Sequence, residues 1–368
     1  MRVKFLDLKA QYGQIKDEIE SAVARVMESG SYILGENVSS LEEETAAYCR
    51  VKYCAGTASG TDAILLALRA CGVSAGDSVI TTPFTFTSSV EAIARCGARP
   101  VLCDIEPDTF NIAAEKIPGL VKKNTKALLP VHLYGHPADM DPVMRTARER
   151  GLMVVEDAAQ AFGSEYRGRK AGTIGDAGAF SFFPSKTLGA FGDAGMVSAG
   201  DGRVIENVKL LRAHGLKGGE CVESGYNSRL DEIQAAVLRV KLKHVHDWIN
   251  RRRKAAALYG ELLGDAPVNL PAEKGYALHS FNYYVIKCER RDELRSYLAG
   301  EGVETGVYYP APAHLQKAFR ELGYGEGDFP VAEEAARKVL ALPIYPEITP
   351  EEQHYAAEKI KDFYRKRA

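Results

Sequence analysis

Phe180-Ser181-Phe182-Phe183-Pro184-Ser185-Lys186-Thr187-Leu188-Gly189 sets one lysine in a short turn between an apolar strand and a glycine-rich segment. Upstream, the apolar run Leu152-Met153-Val154-Val155 leads straight into Glu156-Asp157-Ala158-Ala159-Gln160. The two stretches predict an amine and a carboxylate at the ends of two core strands. Those are the groups that pyridoxal phosphate chemistry needs. The amine forms a Schiff base with the cofactor aldehyde, and the carboxylate keeps the pyridine nitrogen protonated so that the ring withdraws electrons. Each group also has a plainer reading by itself: the aspartate as a helix cap, the lysine as a solvated side chain.

Further apolar runs lie at residues 78–82, 100–104, 127–131 and 196–198, with amphipathic stretches at 62–70, 88–96 and 140–150 between several of them. This alternation predicts an α/β fold, a mostly parallel sheet with helices on both faces. Pro130 lies inside its run and argues against an uninterrupted strand there. A long helix is predicted from about residue 229 to 263, with Asp231 and Glu232 in its first turn. Its basic run, Arg251-Arg252-Arg253-Lys254, reads as a solvated face, with a phosphate site as the alternative. After Asp265-Ala266-Pro267 the pattern changes to strands at 281–287 and 303–309 and helices at 292–299, 331–340 and 350–367. The expected division is therefore a large α/β domain over 1–245 and a smaller α+β domain over 246–368. The N-terminal segment, with the amphipathic stretch 15–27, is expected to pack back on the smaller unit.

Composition narrows the function classes. The 368 residues are 46% hydrophobic and 26% charged, with a formal net charge of −2, which offers no general attraction to nucleic acid or an anionic membrane. No run approaches the roughly 20 apolar residues of a membrane span, and residues 1–7 lack the apolar core of a signal peptide. Seven scattered cysteines without a CxxC pair suit a reducing, cytoplasmic setting, and the eight histidines form no ligand cluster, so no metal is expected.

A phosphate site is predicted where Ala55-Gly56-Thr57-Ala58-Ser59-Gly60-Thr61-Asp62 enters a helix. Small residues let backbone N–H groups approach an anion, and the helix N-terminus adds its positive end. An ordinary N-cap at Ser59 or Thr61 is the equal alternative. Neither a Walker loop nor GxGxxG is present, which counts against a nicotinamide-dependent oxidoreductase. Pro83-Phe84-Thr85-Phe86-Thr87-Ser88-Ser89 closes the next strand at the sheet's carboxyl edge, where ligands of open α/β sheets bind.

Taken together, Ser59-Gly60-Thr61-Asp62, Glu156-Asp157-Ala158-Ala159-Gln160, Ser181-Phe182-Phe183-Pro184-Ser185-Lys186 and Gly225-Tyr226-Asn227-Ser228-Arg229 resemble the DegT/DnrJ/EryC1/StrS family of nucleotide-sugar aminotransferases. The resemblance runs from Phe5 to the C-terminal helices. It implies a fold-type I pyridoxal-phosphate-dependent transferase with a seven-stranded sheet and a smaller C-terminal α+β domain. By that likeness Lys186 is the internal aldimine and general acid/base, and Asp157 pairs with the pyridine nitrogen. Gln160 bonds the ring hydroxyl, Phe86 stacks on the ring, and Gly60, Thr61 and Ser181 hold the phosphate. Asn227 reaches that phosphate from a neighbouring subunit, which implies a homodimer with shared active sites. Arg229 is read either as a diphosphate partner or as an ion pair with Asp231 or Glu232. Tyr309 and His314 lie in the segment that resembles the family's sugar-contacting loop.

A dehydratase branch of the same family carries histidine where this chain has Lys186, so the lysine implies transamination. Members acting at C4 of the sugar commonly carry histidine where Phe183 stands, so the resemblance favours the 3-keto branch. The implied reaction moves an amino group from L-glutamate to a UDP- or dTDP-linked 3-keto sugar, with pyridoxamine phosphate formed in between. A C4-specific enzyme and a non-catalytic or regulatory relative remain the alternatives.

Overall fold

Seven short strands build the central sheet of the computed structural model, which describes residues 1–365. They are β1 (Tyr53–Thr57), β2 (Ser78–Thr81), β3 (Arg99–Leu102), β4 (Thr125–Leu128), β5 (Met153–Asp157), β6 (Ala177–Ser181) and β7 (Gly195–Ala199). Their order is β1-β7-β6-β5-β4-β2-β3. Only β7 runs antiparallel to its neighbours. The chain thus has the mostly parallel α/β sheet that the alternation predicts. Strands covered on both faces need continuous apolar side chains, and β2, β6 and β7 are buried almost throughout.

The helix Gly60–Ala70 shows how one element fixes the site. Its run Ile64-Leu65-Leu66-Ala67-Leu68 is fully buried among Ala92, Ile93, Val155, Val197 and Val208. Each such leucine contributes about 1.5–3 kcal/mol by leaving water, so the helix is pinned against the sheet with its N-terminus at the carboxyl edge. On the opposite face Phe162, Phe180, Phe182 and Leu238 interlock with Leu41 and Ile249. The strand predicted over 127–131 ends at Leu128, because Pro130 has no N–H to give. Its carbonyl still accepts from Asp157 N–H at 2.9 Å.

A second, antiparallel sheet of Val268–Asn269, Tyr284–Cys288 and Val339–Leu342 is packed by helices Val245–Leu263, Arg291–Gly300 and Pro350–Arg365. The predicted continuation of the last helix to residue 367 lies outside the described residues. Three expectations change here. The long helix is two, Glu232–Leu242 and Val245–Leu263, and His244 at the break stacks on Trp248 and bonds Glu18 at 3.2 Å. Residues 303–309 form isolated bridges, Val303 with Val3 and Gly306 with Ala341, rather than a strand. The N-terminal segment divides its packing. Val3 bonds the smaller unit through Gly302, whereas Ile19, Ala22 and Val26 of helix Lys16–Ser29 pack on Ala236, Val237 and Val240. Among the described residues no helix is long and apolar enough to cross a membrane.

Candidate active site

The carboxyl ends of β5 and β6, the helix Gly60–Ala70 and the segment 308–309 surround a cavity of about 450 Å³. Gly60, Thr61, Phe86, Asp157, Gln160, Ser181, Lys186 and Tyr309 all line it. Eight residues scattered from position 60 to 309 therefore meet at one place.

Asp157 is the last residue of β5. Its carboxylate accepts from Ser89 Oγ at 2.6 Å and from Ala159 N–H at 3.1 Å. Burial pushes its pKa up, and those two donors together with the Lys186 charge pull against the rise. Glu156 supports it from behind. Glu156 is fully buried, accepting from Gly172, Ile174 and Gly175 N–H groups and facing His132 Nε2 at 2.8 Å. His132 Nδ1 accepts from Ala138 N–H at 2.9 Å, so the Nε2 proton is the one given to Glu156. The His132 backbone N–H then donates to the Asp157 carbonyl at 3.0 Å, locking the strand end.

Lys186 sits in a turn closed by its own N–H to the Phe183 carbonyl at 2.8 Å. Asn282 accepts from Thr187 N–H at 3.1 Å, and the buried Lys241 amine donates to the Gly189 carbonyl at 2.6 Å. Burial lowers the Lys186 pKa to about 8, against the opposing pull of Asp157. About a tenth of the amine is therefore a free nucleophile at pH 7, far more than for an ordinary lysine.

At the phosphate end, Ser59 caps the helix by accepting from Asp62 N–H at 3.1 Å, which leaves the earlier N–H groups of the turn to face the cavity. Gly60 is required there by space: a Cβ would stand 2.5 Å from Ser181 Cβ. Gly60→Ala is expected to displace Ser181 and weaken cofactor affinity by at least about tenfold, with a stability loss on the order of 1–3 kcal/mol. Equilibrium dialysis with the cofactor and a thermal melt check both.

Three predicted residues do not line the cavity. Asn227 is exposed, although its neighbour Ser228 bonds Asp62 at 2.8 Å and Ala58 N–H at 3.3 Å, tying the segment to the phosphate loop. Arg229 has a buried Nε with no hydrogen-bond partner among the described residues. Neither ion pair considered for it, with Asp231 or Glu232, forms among the described residues, and Glu232 instead accepts from Asn37 and Val38 N–H groups. His314 is buried, 3.1 Å from Glu333 and edge-on to Phe329.

Other lining residues were not singled out by the motifs. Tyr283 stacks on Tyr308 at 4.3 Å, and both face the cavity beside Ser185 and Asp193. Tyr283 reads in sequence as one more strand residue. Ser89, buried behind the cavity on Asp157 rather than lining it, had a signal, since it lies in the quoted aromatic segment at the carboxyl edge. The assembled groups fit pyridoxal phosphate: an anion cradle that a Cβ would fill, a carboxylate at the cavity floor, an amine of lowered pKa, and Phe86 with 56% of its surface exposed.

Comparison with known proteins agrees. The model of the DegT/DnrJ/EryC1/StrS aminotransferase family matches residues 13–361. A Geobacillus stearothermophilus protein named pleiotropic regulatory protein is 48% identical, covering 99% of each chain. The dTDP-3-amino-3,4,6-trideoxy-alpha-D-glucose transaminase of Streptomyces venezuelae is 44% identical over 94% of this chain and 92% of its own. The crystal structure of S. venezuelae DesV in complex with a ketimine intermediate superposes with a TM-score of 0.96 at 42% identity, covering 98% of each chain.

Proposed function

Because the chain belongs to the DegT/DnrJ/EryC1/StrS aminotransferase family, we propose that it transfers the amino group of L-glutamate to a 3-keto sugar carried on UDP or dTDP. The family's cofactor is pyridoxal 5′-phosphate. One observation carries the reading: Lys186 and Asp157 share one cavity, close enough for each to perturb the other's charge.

When bound, the cofactor supplies an electron-withdrawing ring for the carbon that loses or gains a proton. The rest is the work of this chain. Lys186 would hold the cofactor through its amine, and the same amine, when free, would move a proton at the substrate carbon. Asp157 keeps a proton on the pyridine nitrogen. Gly60 and Thr61 N–H groups and the Ser181 hydroxyl hold the phosphate, and Phe86 covers one ring face. Arg229 lies outside the cavity of its own chain and its Nε is buried, so a role on a substrate diphosphate would fall to its terminal nitrogens, and Asn227 is assigned to the phosphate of a second copy in a homodimer. Preference for a 3-keto sugar draws support from Phe183, an apolar cavity residue where C4 members carry histidine, and from the S. venezuelae 3-amino-sugar transaminase.

The test is absorbance. The purified protein is expected to gain a visible band with added pyridoxal phosphate, to lose it on adding L-glutamate, and to regain it with a 3-keto but not a 4-keto nucleotide sugar. Absence of any band in the folded protein would sink the proposal. A regulatory role is the second reading, favoured by the name of the Geobacillus relative; it predicts a band that L-glutamate leaves unchanged.

A further inference from the structure

The Gln160 side chain has only one way to satisfy its neighbours. Its Oε1 accepts the backbone N–H of Tyr134 at 2.8 Å, so Nε2 must face the other way, toward Tyr309 Oη at 2.8 Å. Amide orientation is fixed by the fact that a backbone N–H can only donate. Tyr309 Oη accepts that bond, and its own proton finds no acceptor among the described residues. The second Nε2 proton is free in the same way. Both groups line the cavity.

The frame around this pair is stiff. Tyr134 adopts φ 59°, a left-handed conformation uncommon for a bulky residue. Its hydroxyl donates to the Tyr308 carbonyl, next to Tyr309, and its ring lies edge-on to Phe110 and Tyr283. The Tyr309 ring meets Phe86 at 6.0 Å and Phe84 at 6.3 Å. Three distant segments, at 134, 160 and 308–309, are thus closed into one ring of contacts beside the residue assigned to cover the cofactor. Burial pushes the Tyr309 phenol well above its ordinary pKa, with Tyr283 and Asp157 adding to the rise, so it remains a donor across the working range.

We infer that Tyr309 serves the cofactor rather than the sugar: with Gln160 it forms a two-donor clamp for the cofactor ring oxygen. This rests on the pyridoxal phosphate reading of the site. Two donors stabilise the ring oxygen as an anion that does not share a proton with the neighbouring nitrogen. Removing one donor lets that shared proton persist to higher pH. Tyr309 is accordingly a cofactor-contacting group that tunes a protonation equilibrium, while Tyr134 is the positioning residue behind it.

The experiment is a pH titration of the visible absorbance of the cofactor-loaded protein. In Tyr309→Phe, which keeps the ring packing against Phe84 and Phe86, the midpoint is expected to rise by about one pH unit. Gln160→Glu, which replaces the donating amide by a carboxylate, is expected to shift it in the same direction. The KM for the nucleotide sugar should stay within about twofold in Tyr309→Phe, as for a group that makes no contact with that substrate. A midpoint that is unchanged or lowered in Tyr309→Phe overturns the inference, and a raised sugar KM alongside it returns Tyr309 to the substrate. A wild-type protein that shows no cofactor band would instead overturn the cofactor reading itself, a separate outcome.

Discussion

Lys186→Ala is expected to lower turnover by at least about a thousandfold and to leave the fold intact. In the proposed reaction the amine has two tasks, holding the cofactor aldehyde and moving the substrate proton, and proton transfer by a positioned group alone is worth roughly a hundred to ten thousandfold. The side chain itself lines the cavity. Its turn is held by backbone bonds and by Asn282 and Lys241, none of which uses the Lys186 amine. The melting temperature should therefore move by no more than a few degrees. Cofactor affinity should fall only in part, since the phosphate cradle and Asp157 remain, and a small added amine should restore some turnover. The pH dependence follows from the same group. A lysine lowered to about 8 exposes its neutral, nucleophilic form well below the range of an ordinary lysine. Cofactor capture by the wild-type protein should speed up as pH rises toward about 8 and level off above it, losing roughly tenfold per unit below. Stopped-flow absorbance measures this directly. Turnover within about tenfold of wild type in the variant, or a capture rate still climbing beyond pH 10, would refute the assignment.

What the sequence reveals, and what it hides, follows from where each interaction is encoded. Lys186, Asp157, Ser181 and Gly60 are legible because a strand, a turn and a reactive side chain lie within a few residues of one another, and chemistry of that kind is local. The sheet is legible because buried parallel strands demand continuous apolar runs. The helix break at His244 is not, since no glycine or proline marks it; the two halves bend because one packs on Ile19 and Val26 and the other on the second sheet. His132 with Glu156, Ser89 with Asp157, and Gln160 with Tyr309 are contacts between residues from 24 to 149 positions apart. A hydroxyl or imidazole carries no local mark of such a partner. His314 illustrates the reverse: a histidine in the right loop, yet its surroundings are Glu333 and Phe329 rather than the cavity.

Asp157→Asn separates catalysis from stability. Asn keeps the shape, but both carboxylate oxygens now accept from donors, and an amide offers only one acceptor. The Ala159 N–H can only donate, so it retains the amide oxygen, and the new NH2 group turns toward Ser89. Ser89 can rotate to accept, handing its own proton to Thr85 Oγ1 at 3.0 Å. The neutral side chain no longer holds a proton on the pyridine nitrogen, and the ring loses its power to stabilise negative charge on the substrate carbon. Loss of one preorganised electrostatic group costs about 2.7–4 kcal/mol of barrier, so turnover should fall roughly a hundred to a thousandfold in both half-reactions with the cofactor still bound. Stability should move the other way. Burial holds the Asp157 carboxyl above its ordinary value, so keeping it ionised at neutral pH works against the native state, and that cost fades as pH falls from the raised pKa through the ordinary carboxylate range. The Asn variant escapes it. Its cofactor-free melting temperature should match or exceed that of wild type at pH 7, and the difference should shrink on acidification. Single-turnover absorbance with L-glutamate and melts at two pH values decide the matter. Near-normal turnover would remove Asp157 from the chemistry, and a clear loss of stability would mean that its charge is compensated in the native state.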